Sequence, residues 1–373
     1  MDNISEDEVE KAIKKLKNNK AAGADNITAE LLKHGFDSAH RESPWKIASL
    51  YGVLQKFIAI IQNIYKNSSC CIKMQEGNTE YFAIKTGVRQ VCIMSPFLFL
   101  LAVDFIVKKA IDGKNLGIQW QQQQQQQNQQ QQQLVDLHFA DDIELLEESR
   151  EGLQQLTTNL AETAGKISLR ISHEKTKVMQ VWVEDKQSNV KITVGNQQVE
   201  DVTSFSYLGS VLASDGGADS NVKVRVGKAA AVFRKMGKIW ASKSIDLEIK
   251  LRLFSTIVLP TALYVNETWK VTSTISNKMD VFHQRCLRKI LKISYRDHIT
   301  NTAVLQRAQS RRLQDIVAER RMRLTGHIFR MPDQWHAKTA FRWEPPNGKR
   351  KRGRPKTTWR RSFKADIAVI NRK

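Results

Sequence analysis

The chain has 373 residues, 59 Lys and Arg against 38 Asp and Glu, a formal net charge of +21 and 41% hydrophobic residues. That length gives room for two or three domains with their own cores, and the apolar fraction excludes wholesale disorder. The longest apolar run, Val91 to Val103, ends at Asp104. It falls short of the roughly 20 residues that cross a bilayer, so it reads as a buried helix and no membrane partner is expected. The acidic start MDNISEDEVE has no apolar stretch of the kind a secretory signal needs. Cys70 and Cys71 are adjacent and Cys92 and Cys286 isolated, which sets out neither a disulfide framework nor a CxxC metal pair. Reduced thiols in nucleus, cytoplasm or both are expected.

The charge is unevenly placed. Residues 1–150 carry 17 basic and 19 acidic side chains, whereas 151–373 carry 42 and 19, so the whole excess is C-terminal. A polyanion is the natural partner, because each cation set against a phosphate releases condensed counterions. A solvated, solubilising surface would have the same composition, and charge alone names no chemistry.

Along the chain, Ser5-Glu6-Asp7-Glu8 forms a capping box, with Ile4 and Val9 as its staple. Val9, Ile13 and Leu16 then predict an amphipathic helix to about Asn18. A polar loop follows over 17–26, then a helical piece over 27–34. Residues 45–66 show another helical pattern, broken near Gly52, and 70–86 read as a hairpin about Glu76-Gly77-Asn78. Gln121–Gln133 holds 12 Gln around Asn128 and has nothing to bury, so disorder and an aggregation hazard are expected. The segment LVDLHFADDIELL (134–146) reads as strand, tight turn and strand, with Asp141-Asp142 at the break. A helix is expected over 153–166, and strands over 178–183 and 190–194 joined through 184–189. Beyond Asn221 helices are expected over 222–240, over 246–259 with Pro260 as the stop, over 275–292, and through an Arg-rich stretch from 302 to about 330. PPNGKRKRGRPK (345–356) carries six bases and three prolines, and reads as a mobile, non-helical segment.

Two adjacent carboxylates on a hairpin turn repel one another unless a cation or solvent offsets the charge, so Asp141 and Asp142 suggest a divalent metal. Exposed turns also use Asp freely, and the pair alone is weak evidence. Its surroundings add more. FADD (139–142), GVRQVCIMSP (87–96) and KNNKAAGADNITAELLK (17–33) resemble motifs of reverse transcriptases from non-LTR, LINE-type retrotransposons of the endonuclease–reverse transcriptase group. FDSAHRESPWKIASLYG (36–52), AGKISLRISHEKTKVM (164–179) and FSYLGSVLASDGG (205–217) follow in the order such proteins show. TALYVNETWKVT (261–272), RCLRKILKI (285–293), GHIFRM (326–331) and GKRKRGRPKTTW (348–359) are similar to their C-terminal region.

The resemblance implies an α+β fold: a right-hand palm remnant with antiparallel sheet and helices, followed by a mostly helical basic thumb and C-terminal region. The segments would be a fingers remnant (1–35), a palm (36–183, with a polyglutamine insert at 120–133), a thumb-like region (184–272), a helical basic region (273–344) and a basic tail (345–373). It implies an RNA template, a DNA primer or target, and two Mg2+ ions that activate the primer hydroxyl and neutralise the triphosphate. By match, Asp141 and Asp142 would bind metal and Lys175 would be a candidate general acid for the leaving pyrophosphate. Phe36, Gly87, Arg89, Gln90, Ser95 and Pro96 would contact template and nucleotide, with Phe36 screening against a ribose 2′-hydroxyl. Phe205, Tyr207, Leu208 and Gly209 would form the primer grip. Ordinary surface charge is the plain alternative for Arg89 and Lys175.

The chain also departs from the pattern. The family's first catalytic Asp stands five residues before the position of Phe36, where this chain has Leu31. The long block that separates fingers from palm in relatives is missing between about Gly35 and Phe36. Glu30 and Asp37 lie near, yet neighbouring side chains point to different faces. Without that Asp two ions about 3.5–4 Å apart could not be placed, and Mg2+ would bind weakly at best. Val91 and Ser168 replace usual glycines, and the endonuclease domain that precedes the polymerase in relatives is not found. Polymerisation is therefore expected to be lost, leaving either a defective reverse transcriptase homologue or a non-catalytic nucleic-acid-binding remnant. A product that does not fold stably is a third reading.

In the C-terminal half, Ile275, Met279, Phe282, Cys286 and Ile290 form a core stripe beside Arg285, Arg288 and Lys289. His283 and Cys286 with His298 or His327 offer a zinc set that lacks a second Cys at a ligand spacing. Lys349, Arg350, Lys351, Arg352, Arg354 and Lys356 resemble an AT-hook, suit a nuclear-localisation signal, and equally suit nonspecific phosphate contact.

Overall fold

A computed structural model describes residues 42–66, 69–71, 73–74, 77–78, 80–83, 94–119, 133–181, 190–342 and 358–370. The N-terminal capping box and the helices expected before residue 35 lie outside the described residues, as does the polyglutamine run apart from Gln133. The described residues fall into two compact units, one within 42–176 and 190–200, the other within 177–181 and 201–370.

The first unit is built on helices α1 (Glu42–Leu50), α2 (Gln55–Tyr65), α3 (Met94–Ile111) and α4 (Arg150–Gly165). The break between α1 and α2 comes at Gly52, whose φ of 80° suits a residue without Cβ. The apolar run becomes α3 and buries Leu98, Ala102, Val103, Ile106, Val107 and Ala110. All but Leu98 pack with Ile47 of α1 and with Leu160 and Ala164 of α4 in one core, while Leu98 packs with Trp45, Ala48, Ile58 and Tyr65 in a second. Among the described residues no helix is long and apolar enough to cross a membrane. Helix α4 starts at Ser149, whose hydroxyl accepts from the Gly152 N–H at 3.0 Å.

Strand pairing differs in detail from the sequence reading. Ser69–Cys70 pair with Phe82–Ala83, and Lys73–Met74 pair with Gly77–Asn78. The hairpin is there, but Gly77 and Asn78 belong to its returning strand rather than to its turn. Strands β1 (Asp136–Phe139) and β2 (Asp142–Leu145) form the expected hairpin. Its break falls at Ala140-Asp141, one residue earlier than the sequence suggested. Thr193–Val194 turn back at Gly195 to pair with Gln197–Gln198, and among the described residues the strand expected over 178–183 is limited to Lys177–Val178. The Gln154 amide fixes the first of these, accepting from the Thr193 N–H at 2.7 Å and donating to its carbonyl at 3.1 Å. The architecture is α+β, and among the described residues every sheet has two strands, where the resemblance implies a larger antiparallel palm sheet.

The second unit opens with hairpin β3 (Ser204–Tyr207) and β4 (Ser210–Ala213) and continues as helices. These are α5 (Asp219–Lys235), α6 (Gly237–Ala241), α7 (Leu247–Leu253), α8 (Leu259–Ala262), α9 (Ser273–Ile290), α10 (Asn301–Arg307), α11 (Leu313–Arg330), α12 (His336–Arg342) and α13 (Trp359–Ile370). One core joins Val222, Phe233, Trp240, Phe254, Met279, Leu287, Leu313 and Val317. Pro260 does not stop its helix. A π-type turn over Phe254–Val258 precedes it, and Pro260 sits in the first turn of α8, where its missing N–H needs no partner. The Arg-rich stretch is two helices, because Gln309 takes a left-handed φ of 47° between them. Residues 359–370, inside the segment read as a basic tail, form α13.

Candidate catalytic turn and nucleic-acid interface

Antiparallel register pairs Phe139 with Asp142 and Leu137 with Glu144. Directly paired residues share a sheet face, so Leu137, Phe139, Asp142 and Glu144 lie on one side. Ile143 and Leu145, on the other, pack against the core of α3 and α4. Asp142 is thus the first residue of β2, aimed away from that core, and Asp141 is in the turn; both are exposed. Ala140 holds the turn at φ 55°, a left-handed conformation that costs an L-residue about 1–2 kcal/mol. Strain of this kind collects at functional turns. Phe139 is 64% and Leu137 43% exposed on the Asp142 face. Glu144 is half-buried there, and burial raises its pKa.

On the opposite side, His138 and Asp136 meet at 2.9 Å. Asp104, the acid that interrupts the apolar run, accepts from Tyr51 Oη at 2.5 Å and pairs with Lys108 at 2.7 Å. Partial burial opposes its ionisation, but the hydrogen bonds from Lys108 and Tyr51 outweigh that and hold it below the usual carboxylate range. The sequence signal for Asp104 was its isolation among apolar residues, and nothing in its spacing named Tyr51 as partner.

Of the other expected contacts, Ser95 is buried and its hydroxyl lies 2.8 Å from Tyr65 Oη. Pro96 is exposed in the first turn of α3, and Lys175 is exposed in a turn after α4. Phe36, Gly87, Arg89, Gln90 and the six bases from Lys349 to Lys356 lie outside the described residues. Reverse transcriptases use Mg2+. Among the described residues no group of three or more His, Cys, Asp or Glu gathers as a metal site. Asp141 in the turn and Asp142 at the start of β2 do not by themselves make up a two-ion site, and no chemical step through metal is derived from them. The zinc set does not gather among the described residues either: His283 is buried with its ring stacked on Phe254 at 5.8 Å, and Cys286 is buried in the same core.

In the second unit, Phe205 pairs with Leu212 and Tyr207 with Ser210. The turn is Leu208-Gly209, with φ of 47° and 76°, the pair of positive angles that a tight two-residue hairpin requires. Buried Arg225 of α5 donates to the Gly209 carbonyl. Tyr264 donates its hydroxyl to the Leu208 carbonyl at 3.2 Å, and Asn221 accepts from the Val211 N–H at 3.3 Å. The sequence pattern announced neither this hairpin turn nor its clamps, since an Arg on the inward side of a helix resembles any other base in a basic segment. The outward side of α5 exposes Lys223, Lys228, Arg234 and Lys235, and α6 exposes Lys238, with no acid between residues 220 and 245. The nearest, Asp219, is paired with Lys278 at 3.3 Å.

The reverse transcriptase (RNA-dependent DNA polymerase) family matches residues 4–212, more than half of the chain, and the chain belongs to that family. Within it, the similarity is to proteins of retrotransposon origin. The chain is 27% identical over 246 residues to a transposon-derived protein of Caenorhabditis elegans, a match covering 63% of this chain and 86% of that protein. It is 25% identical over 194 residues to the Pol polyprotein of an R2 retrotransposable element of Nasonia vitripennis, and 22% over 268 residues to that of the R2 element of Drosophila melanogaster. Those matches cover 50% and 69% of this chain but 18% and 24% of the polyproteins. The chain is a non-LTR retrotransposon reverse transcriptase homologue.

Proposed function

We propose that this reverse transcriptase homologue holds nucleic acid without copying it. The observation that carries the reading is Leu31 at the place of the family's first catalytic Asp. A palm with Asp141 and Asp142 and no opposing carboxylate cannot hold two ions at the separation in-line transfer needs. What stays chemically competent is the basic half, with a charge of +23 over residues 151–373 and the acid-free face of α5. Such a surface binds the phosphate backbone of RNA or DNA with a steep salt dependence and little sequence preference. In this reading the palm is a remnant, the second unit is its thumb and C-terminal region, and the run from Lys349 to Lys356 adds phosphate contact or nuclear import.

Polymerase activity is the second reading. It is favoured by the strained Ala140 turn, which presents Asp141 and Asp142 to solvent as a working site would. Primer extension on a homopolymer template with Mg2+ or Mn2+, run beside filter binding over a salt series, separates the two. The expected result is binding that falls linearly on logarithmic axes as salt rises, with no extension by the wild type. Template-directed incorporation that Asp141→Asn abolishes would overturn the proposal, and absence of both signals would leave only an inert relic.

A further inference from the structure

Tyr264 is pinned in a way that its own fold does not call for. Its ring lies outside the hydrophobic core of the second unit and is 45% exposed. An exposed tyrosine ordinarily samples several rotamers. This one is held at its hydroxyl by the Leu208 carbonyl at 3.2 Å, and over one face by the Arg225 guanidinium, 4.1 Å from the ring centroid. Arg225 is itself fixed, being buried and hydrogen-bonded to Gly209. The residue after Tyr264, Val265, sits at φ 57°, which a β-branched side chain resists. Ring, guanidinium and turn therefore form one preset unit, and strain in the adjacent backbone is what such sites carry.

Because the hydroxyl edge and one face are taken, the exposed area belongs to the remaining edge and the opposite face. A flat aromatic surface of fixed tilt, polarised from behind by a cation, suits another π-system. Lys228, one helical turn beyond Arg225 on α5, is exposed and positively charged, and Leu208, whose carbonyl holds the hydroxyl, is exposed too. We propose that Tyr264 is a stacking platform for a nucleobase of single-stranded nucleic acid, with Lys228 placed for the adjoining phosphate. The proposal rests on the reading that this half of the chain binds nucleic acid, and adds to it that bases, not phosphates alone, are recognised.

The test uses the full chain and three probes: an oligothymidylate carrying one 2-aminopurine, an abasic oligomer of equal length, and inorganic polyphosphate. Wild-type protein should quench the 2-aminopurine and bind the base-bearing strand about 10-fold or more tighter than the abasic one. Tyr264→Ala should lose that preference and the quenching while binding polyphosphate as the wild type does. Tyr264→Trp should keep both, which guards against a folding defect in the Ala variant. Equal binding of base-bearing and abasic strands by wild type, without quenching, would overturn the stacking proposal and leave the phosphate-binding reading standing. Binding of none of the three probes would overturn both.

Discussion

Arg321, buried in α11, is ion-paired with Asp366 of α13, 45 residues further along the chain. Arg321 also donates to the Trp269 carbonyl at 3.2 Å, and Trp359 at the start of α13 donates its indole N–H to the Glu267 carbonyl at 2.7 Å. Ser362 both accepts from the Val271 N–H and donates to its carbonyl, each at 3.2 Å. Phe341, Trp359 and Phe363 pack as a ring cluster around this joint. Protein on both sides of the basic run is thus docked, at Phe341 by its edge contact with Phe329 at 5.0 Å and at Trp359 by these contacts.

Removing one member of a buried pair leaves the other charge uncompensated. Asp366→Ala should therefore destabilise the second unit by about 3 kcal/mol. Limited proteolysis should then cut near α13 at protease levels that spare the wild type. The double change Arg321→Met with Asp366→Leu should recover most of the loss, because neither charge then needs a partner. If Asp366→Ala melts and digests like the wild type, α13 is not held by this pair.

Val265 offers the opposite sign. Its φ of 57° costs a β-branched residue about 1–2 kcal/mol that glycine does not incur, against a smaller entropic loss for glycine in the unfolded chain. Val265→Gly should stabilise the protein by about 1 kcal/mol, a rise in Tm of about 2–4 °C. The same change frees the backbone beside Tyr264. If its strain helps to set the ring, 2-aminopurine quenching should weaken even as the melting temperature rises.

The left-handed residues also explain what could and could not be read from the sequence. The 3.6-residue spacing placed α9 within two residues of its ends, Ser273 and Ile290, while its cap at Thr272, which accepts from the Ile275 N–H at 3.3 Å, set the true start. The carboxylate hairpin was legible because strand alternation and the Asp pair coincide. Helix breaks were missed where the left-handed position is filled by a residue that carries no such signal. Gln309 ends α10 with Ser310 N–H returning to the Leu305 carbonyl at 2.9 Å, a task usually left to glycine. Pro260 misled for the reverse reason, since a strong stop signal was absorbed by the wide turn before it. Clamps such as Arg225 on Gly209 and Tyr51 on Asp104 join residues 16 and 53 apart, and no local pattern announces them.

Gly117 and Gly113 provide a matched pair. Both have positive φ, 102° and 73°. A Cβ at Gly117 would meet Val135 Cγ2 at 2.7 Å and the Leu134 carbonyl oxygen at 2.9 Å, whereas at Gly113 nothing lies within 4 Å. Gly117 also donates its N–H to Glu147. Gly113→Ala should cost only the conformational part, about 1 kcal/mol, and Gly117→Ala about 3 kcal/mol, because a strand edge must also move. Urea titrations of the two variants would measure the gap, and equal midpoints would show that the 134–135 edge yields freely.

His283 should make the second unit acid-sensitive. Its ring is buried against Phe254, with Nε2 3.2 Å from Ser310 Oγ, and burial lowers its pKa from 6.5 to about 4. Between those values the unfolded chain binds a proton that the folded chain does not. Stability from this group is therefore complete above pH 6.5 and is lost as pH falls toward 4, by at most about 3 kcal/mol. Asp366, Asp280 and Glu144 have raised pKa values, each chiefly from burial, and act in the opposite direction. The wild-type curve alone is a sum of these, so the measurement is a difference. His283→Phe keeps an aromatic ring against Phe254 and removes the proton site. Its Tm should fall less than the wild type's between pH 7 and pH 4.5, and parallel curves for the two proteins would show that His283 titrates in the folded state as it does in water.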